Sequence, residues 1–148
     1  MFVFTAEAKK TGLGSVFAQA LGKTASVASR SGSASQASIE AALRTMVNEA
    51  NRGMPMLLDQ DTRMDSMVAG PGALLTYMYT ITTLRAAEND RQILERHIHG
   101  PIKLGVCSAP DLQEFFKYGV TLRYFYRGSD GGYVAQGDIT PKDCGYPR

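Results

Sequence analysis

The only two histidines of the chain, His97 and His99, are the side chains that most resemble a metal site. Imidazole nitrogens bind zinc, but residues two apart on a helix point to different sides. The pair could therefore share a metal only if the helix ended there. We predict no metal site and interpret His97 as part of the apolar stripe of a helix.

The segment Gly22-Lys23-Thr24 matches the end of a P-loop, whose backbone N–H groups and lysine bind nucleotide phosphates. Phe17 occupies the position where that loop needs its first glycine. The sequence also lacks the Gly-x-Ser-x-Gly motif of serine hydrolases. We assign no catalytic residue and no cofactor, and we favour a protein that is not an enzyme.

Composition excludes two further classes of function. Sixteen basic and fourteen acidic side chains give a formal net charge of +2, which is too small for a surface that binds nucleic acid. The apolar stretches are shorter than the roughly 18 residues of a membrane helix, so we expect no integral membrane span. With 44% apolar residues in 148, the chain can bury the core of one domain.

Hydrophobic periodicity predicts an α+β domain over residues 38–148, with a four-stranded, mainly antiparallel sheet and helices on one face. The helices precede and separate two hairpins. Helices are predicted from Ser38 to Gly53, from Glu88 to His99 with a stop at Gly100-Pro101, and from Ser108 to Gly119; strands at Thr62–Ala69, Ala73–Leu84, Val120–Arg127 and Tyr133–Thr140.

Residues 1–37 differ from the rest in composition. Ser15–Leu21 predicts a short helix that ends at Gly22, and Thr24–Ala37 is a Ser/Ala/Gly-rich segment typical of a flexible linker. We expect this N-terminal segment to be mobile, or to dock on a second copy and form a homo-oligomer.

The pattern Leu-x-Tyr-x-Tyr occurs at residues 75–79 and again at 122–126, which predicts two neighbouring central strands. Alternation turns Tyr77, Tyr79 and Tyr124 towards the helices, because side chains on a strand alternate between its faces. We interpret these tyrosines as core residues. The alternative is a ligand-binding or enzymatic pocket that they line together with His97.

The same alternation places Met78, Arg123, Phe125 and Arg127 on the opposite face of the sheet, which no predicted helix covers. Apolar side chains among polar ones on an open face are typical of a protein-binding surface. We predict that these four residues bind another protein.

Cys107 and Cys144 lie at the ends of predicted elements, where they could form a disulfide or stay unpaired in a cytosolic protein. The order Met54-Pro55, Asp61–Asp65, Tyr77–Tyr79, Cys107, Gly119–Tyr126, Gly131 and Asp143-Cys144 resembles small bacterial proteins of unassigned function, several of them exported or envelope-associated. That resemblance implies the disulfide and a bacterial origin.

These observations favour a non-enzymatic protein-interaction module of the bacterial envelope or of a secreted protein. A periplasmic, envelope or secreted location is preferred. A cytoplasmic adaptor or chaperone is the alternative.

Overall fold

Residues 12–28, 35–88 and 91–147 are described by the computed structural model, and they form one five-stranded sheet with four α-helices. Short 3-10 helices occur at Ala86–Glu88, Pro110–Leu112 and Lys142–Cys144. The main elements are α1 (Leu13–Ala28), α2 (Gln36–Asn51), β1 (Met56–Leu57), β2 (Thr62–Ala69), β3 (Leu74–Ile81), α3 (Arg91–Ser108), α4 (Gln113–Lys117), β4 (Thr121–Gly128) and β5 (Tyr133–Ile139).

The sheet confirms the α+β class but corrects its predicted topology. The strands lie in the order β1-β2-β3-β4-β5, and the β3–β4 pair is parallel while the other pairs are antiparallel. The fifth strand, β1, has only two residues, too few for any alternation to reveal. The parallel pair arises because α3 and α4 form the crossover that returns the chain to the same end of the sheet.

The two Leu-x-Tyr-x-Tyr segments are neighbours, as predicted, and they pair residue for residue across β3 and β4. The paired rings stack: the centroids of Tyr77 and Tyr124 are 4.8 Å apart, and those of Tyr79 and Tyr126 are 4.7 Å apart. We call these four side chains the tyrosine quartet. All four are buried, so they form the centre of the core beneath the helices.

Helix α2 buries the face that its periodicity predicts, but it begins earlier than Ser38. Ser35 is the N-cap, and its hydroxyl accepts a hydrogen bond of 3.1 Å from the backbone N–H of Ser38. The buried residues of α2 are Ser38, Ile39, Ala42, Leu43, Met46, Val47 and Ala50.

The expectation of a mobile N-terminal segment is wrong for residues 13–22. Helix α1 continues through Gly22 to Ala28 and packs against α2 and α4. Phe17 is fully buried, and its ring centroid is 5.1 Å from that of Phe115. The hydrophobic contacts of α1 explain why a segment rich in small residues is helical here. Residues 29–34 of the predicted linker lie outside the described residues, and the predicted homo-oligomer stays a prediction.

Helix α3 also differs from its prediction, because it does not stop at Gly100-Pro101 but continues to Ser108. A proline inside a helix removes one hydrogen bond. Here the second half of the helix is held by the burial of Ile102 and Val106 and by the disulfide between Cys107 and Cys144. The predicted disulfide is therefore present in the structure. Within the described residues, no helix has the length and apolar character to span a membrane.

We predict that the double replacement Cys107→Ser and Cys144→Ser lowers the free energy of unfolding by roughly 3–4 kcal/mol, since the bridge closes a loop of 37 residues. Urea denaturation measures the change. Wild-type protein that has been reduced is the control and should match the variant. Equal stability of the variant and the oxidised wild type would contradict the prediction.

Two glycines of α1 provide a second test. A Cβ at Gly14 would overlap the backbone oxygen of Asp111, whereas a Cβ at Gly22 would have no neighbour within 4 Å. Gly14→Ala should therefore lower the free energy of unfolding by about 1–3 kcal/mol. Gly22→Ala should raise it by up to about 1 kcal/mol, because alanine favours a helix. If both variants changed stability in the same direction, the docked position of α1 would be incorrect.

Candidate partner-binding surface

Strand β4 divides the sheet into a buried and a half-exposed face. Leu122, Tyr124 and Tyr126 are buried, while the alternate residues are half-buried. We call the face that carries these alternate residues the open face. It consists of three rows across β2, β3, β4 and β5: Val68-Thr76-Arg123-Asp138, Ser66-Met78-Phe125-Gln136 and Arg63-Thr80-Arg127-Tyr133.

The middle row of the open face is its apolar part. Met78 and Phe125 are partners in the parallel β3–β4 pair, so their side chains stand side by side. The ring of Phe125 also lies near that of Tyr133 in the next row, with centroids 5.7 Å apart. Val68, in the row on the other side, is 46% exposed. We call these four side chains the apolar strip, which is partly open to solvent.

An ion pair borders this strip on one side. Arg123 donates two hydrogen bonds to the carboxylate of Asp138, of 2.7 and 2.8 Å. The hydrogen bond with Asp138 raises the pKa of Arg123 above its ordinary value. Bidentate pairs of this kind fix both side chains in one geometry. Arg123 is thus held in place beside the apolar strip.

A second ionic group borders the strip on the other side. Asp65 is the extra residue of a β-bulge in β2, where the pairing with β3 shifts between Met64 and Ser66. Its carboxylate accepts hydrogen bonds of 2.6 Å from Arg63 and from the Thr80 hydroxyl, and it lies 3.9 Å from the Nε of Arg127. We call Arg63, Asp65, Thr80 and Arg127 the ionic cluster.

The ionic cluster forms one wall of a shallow cavity of about 280 Å³. Gly128, Ser129 and Gly131 of the β4–β5 loop complete its lining. Gly128 is required for this arrangement, since a Cβ there would lie 2.7 Å from both Leu84 O and Ala86 N. The loop is thus pressed against residues 84–86.

Asp130 ties this loop to the 3-10 helix Ala86–Glu88. Its carboxylate accepts hydrogen bonds from the backbone N–H groups of Ala86, Ala87 and Gly132, at 3.1 to 3.2 Å. The bonds from Ala87, Ala86 and Gly132 lower the pKa of Asp130 below its ordinary value. The ionised carboxylate therefore fixes the loop wall of the cavity.

The structure brings the four predicted surface residues together on the open face. Met78 and Phe125 lie in one row, Arg123 in the row on one side and Arg127 in the row on the other. Their role in binding stays a prediction.

The predicted pocket residues are arranged differently. Tyr77, Tyr79 and Tyr124 are at most 1% exposed and stack against each other in the core. His97 lies in α3, but its side chain falls outside the described residues. The geometry therefore favours a core role for the tyrosines, and the pocket between helices and sheet stays a prediction.

Sequence reasoning missed Arg63, Asp65 and Thr80. Strict alternation breaks within β2, where Met64 and Met67 are both buried although they are three residues apart. That broken period was the signal of a bulge, which follows Met64 and returns Met67 to the buried face. Arg63 and Asp65 are two residues apart and lie on the open face together. Thr80 is buried on this otherwise half-exposed face, because Arg63 and Arg127 flank it in register.

Comparison with known families gives one match. The model of a family described as "Domain of unknown function (DUF8479)" matches residues 38–134, more than half of the chain. A search of curated protein sequences found no significant match.

Three solved structures share the fold. A protein of Pseudomonas aeruginosa described as a candidate secreted protein has a TM-score of 0.63 at 17% identity, over 74% of this chain and 95% of its own. EpsS, the pilotin of the Vibrio vulnificus type 2 secretion system, has a TM-score of 0.61 at 13% identity, over 76% of this chain and 96% of its own. The Vibrio cholerae type II secretion pilotin AspS has a TM-score of 0.55 at 17% identity, over 74% of this chain and 94% of its own. At these identities the likeness concerns the fold alone.

The lowered pKa of Asp130 predicts a pH-dependent contribution to stability. We expect Asp130→Asn to be less stable than the wild type at neutral pH. The difference should be complete above the unfolded-state pKa of about 3.8, shrink as the pH falls below that value, and vanish below the folded-state pKa. Urea denaturation from pH 7 to pH 2 measures it. A difference that does not change with pH would show that the charge of Asp130 does not hold the loop.

Proposed function

The chain belongs to this domain family of unknown function, and we propose that it is a non-enzymatic protein-binding module of the bacterial envelope or of a secreted protein. The open face is the proposed binding surface. Met78 and Phe125 would provide its apolar centre, with Arg123 and Arg127 at its border.

The observation that carries this proposal is the arrangement of the open face. The apolar strip lies between the Arg123–Asp138 ion pair and the ionic cluster. In each of these groups an arginine is already hydrogen-bonded to an aspartate. Protein interfaces have this organisation, with a desolvated apolar centre and a polar rim. Arg123, which Asp138 already holds, needs little reorganisation on binding, and this lowers the entropic cost of association.

The size of the open face indicates the kind of partner contact. From strand spacing and residue rise, four strands and three rows cover roughly 400 Å². A standard interface buries about 800 Å² on each partner. The open face therefore suits one helix or one extended segment of a partner, with the remaining contacts made by surrounding loops.

Two observations support an envelope or secreted location. The Cys107–Cys144 disulfide is of the kind that persists in oxidising compartments. The fold is shared with a candidate secreted protein and with two pilotins of type 2 secretion systems. A binding role in the envelope is consistent with both.

The test compares single replacements of two apolar side chains that are at least partly open to solvent. Phe125→Ala removes the centre of the open face, and Leu104→Ala is the matched control, since Leu104 is 75% exposed on α3 and outside the open face. Tagged wild type and both variants are used to capture proteins from the envelope fraction and from the cytoplasmic fraction. Captured proteins are quantified by mass spectrometry.

We expect one envelope protein to be captured by the wild type and by Leu104→Ala, but at least about 10-fold less by Phe125→Ala, the loss typical of a hot-spot residue. Circular dichroism and the thermal midpoint check that both variants are folded. Equal capture by all three proteins would contradict the proposed surface. Capture of the Phe125-dependent protein only from the cytoplasmic fraction would contradict the proposed location.

A further inference from the structure

The cavity beside the ionic cluster has a charge balance that selects its ligand. Of the described side chains that line it, three are ionisable: Arg63, Asp65 and Arg127. Two cations and one anion leave a formal charge of +1. A monoanion would neutralise this charge, whereas a dianion would be left in excess beside the carboxylate of Asp65.

Some polar groups of the cavity already have hydrogen-bond partners in the protein, and others have none. Asp65 already accepts from Arg63 and from Thr80. The guanidinium of Arg127 makes no hydrogen bond to any of the described residues, and its contact with Asp65 is an ion pair of 3.9 Å. Its Nε is buried although it has no hydrogen-bond partner there. The Arg127 side chain as a whole is 39% exposed, so the other N–H groups of the guanidinium can reach a ligand in the cavity. A bound acceptor there would form charge-assisted hydrogen bonds that the protein itself does not supply.

The volume of the cavity further limits which ligands it can bind. At about 280 Å³ it lies at the lower limit of pockets that hold whole small-molecule ligands. It accommodates one small group that enters from the open face. A planar carboxylate fits a guanidinium fork with two parallel hydrogen bonds.

We infer that this cavity binds a carboxylate group, and that a side chain or the C-terminus of the partner protein supplies it. Arg127 is the main donor, Arg63 contributes charge, and Asp65 limits the site to a single negative charge. The source of the carboxylate rests on the proposed function. The preference of the cavity for a carboxylate does not rest on the proposed function, because it depends only on residues of this chain.

The experiment titrates isotopically labelled protein with small ligands and follows the amide NMR signals of Gly128, Ser129 and Gly131. Sodium acetate is the first ligand, with sodium chloride at equal ionic strength as the reference. We expect saturable shifts with a Kd on the order of 1–10 mM, since solvent-open arginine–carboxylate contacts are weak. Sodium phosphate should bind more weakly than acetate at the same pH.

Three variants make the test specific. Arg127→Gln should weaken acetate binding by at least about 10-fold, and Asp65→Asn should strengthen it several-fold by removing the competing charge. Arg52→Gln is the control and should leave binding unchanged, because Arg52 is a largely exposed arginine paired with Glu49 outside the cavity. Unchanged signals elsewhere in the spectrum check that each variant is folded.

Further ligands identify the source of the carboxylate. Acetyl-aspartate amide presents a side-chain carboxylate, acetyl-alanine presents a C-terminal one, and acetyl-asparagine amide presents neither. Binding of either carboxylate compound at least as tightly as acetate supports a protein source. Tighter binding of acetate than of both overturns that source.

Absence of saturable shifts with any carboxylate, tighter binding of phosphate, or equal binding by Arg127→Gln overturns the inference as a whole. No partner protein takes part in the titration. Its failure would therefore leave the Phe125 capture experiment intact, and failure of that experiment would leave the titration intact.

Discussion

The in-register parallel pairing of β3 and β4 is the constraint on which the rest of the structure depends. It sets Leu75 against Leu122 and stacks the rings of the tyrosine quartet in two pairs. Stacked aromatic pairs contribute about 0.5–1.5 kcal/mol each beyond the burial of their area. Parallel strands also require a crossover, so this pairing obliges α3 and α4 to pass over the sheet between the two strands. The helices cover the face of the sheet that carries the tyrosine quartet.

The same pairing determines the open face. Met78 lies between two quartet tyrosines on β3, and Phe125 lies between the two on β4. Because successive side chains of a strand point to opposite faces, burial of the quartet fixes the position of both apolar side chains. A shift of one residue would exchange core and surface along the whole strand. The core behind the candidate surface therefore sets the backbone position of both side chains, which favours recognition by preformed contacts.

Elements with a long regular pattern could be predicted from the sequence. The bounds of β2 follow from its strand-forming residues and the Gly70-Pro71-Gly72 turn after it, and the buried face of α2 follows from periodicity. The alternation of β3 and β4 also predicts which residues share the open face. In these regions the conformation that the local sequence favours is also the one that buries the apolar side chains in the folded protein.

The features that could not be predicted depend on contacts distant in sequence. The two residues of β1 are a strand only because they pair with β2. Helix α1 is stabilised by Phe115, nearly a hundred positions away, and the second half of α3 by the bridge from Cys107. In the candidate site, Asp65 meets Thr80 and Arg127 only because β2, β3 and β4 pair in this register.

The disulfide has a mechanical consequence. Strand β5 is the last strand of the sheet, and its end at Ile139 is only five residues from Cys144. An edge strand pulled from its end normally unzips one hydrogen bond after another. Here the covalent bridge to Cys107 carries part of any tension applied at the C-terminus into α3. A load at that end of the chain is therefore divided between the helical layer and the edge of the sheet.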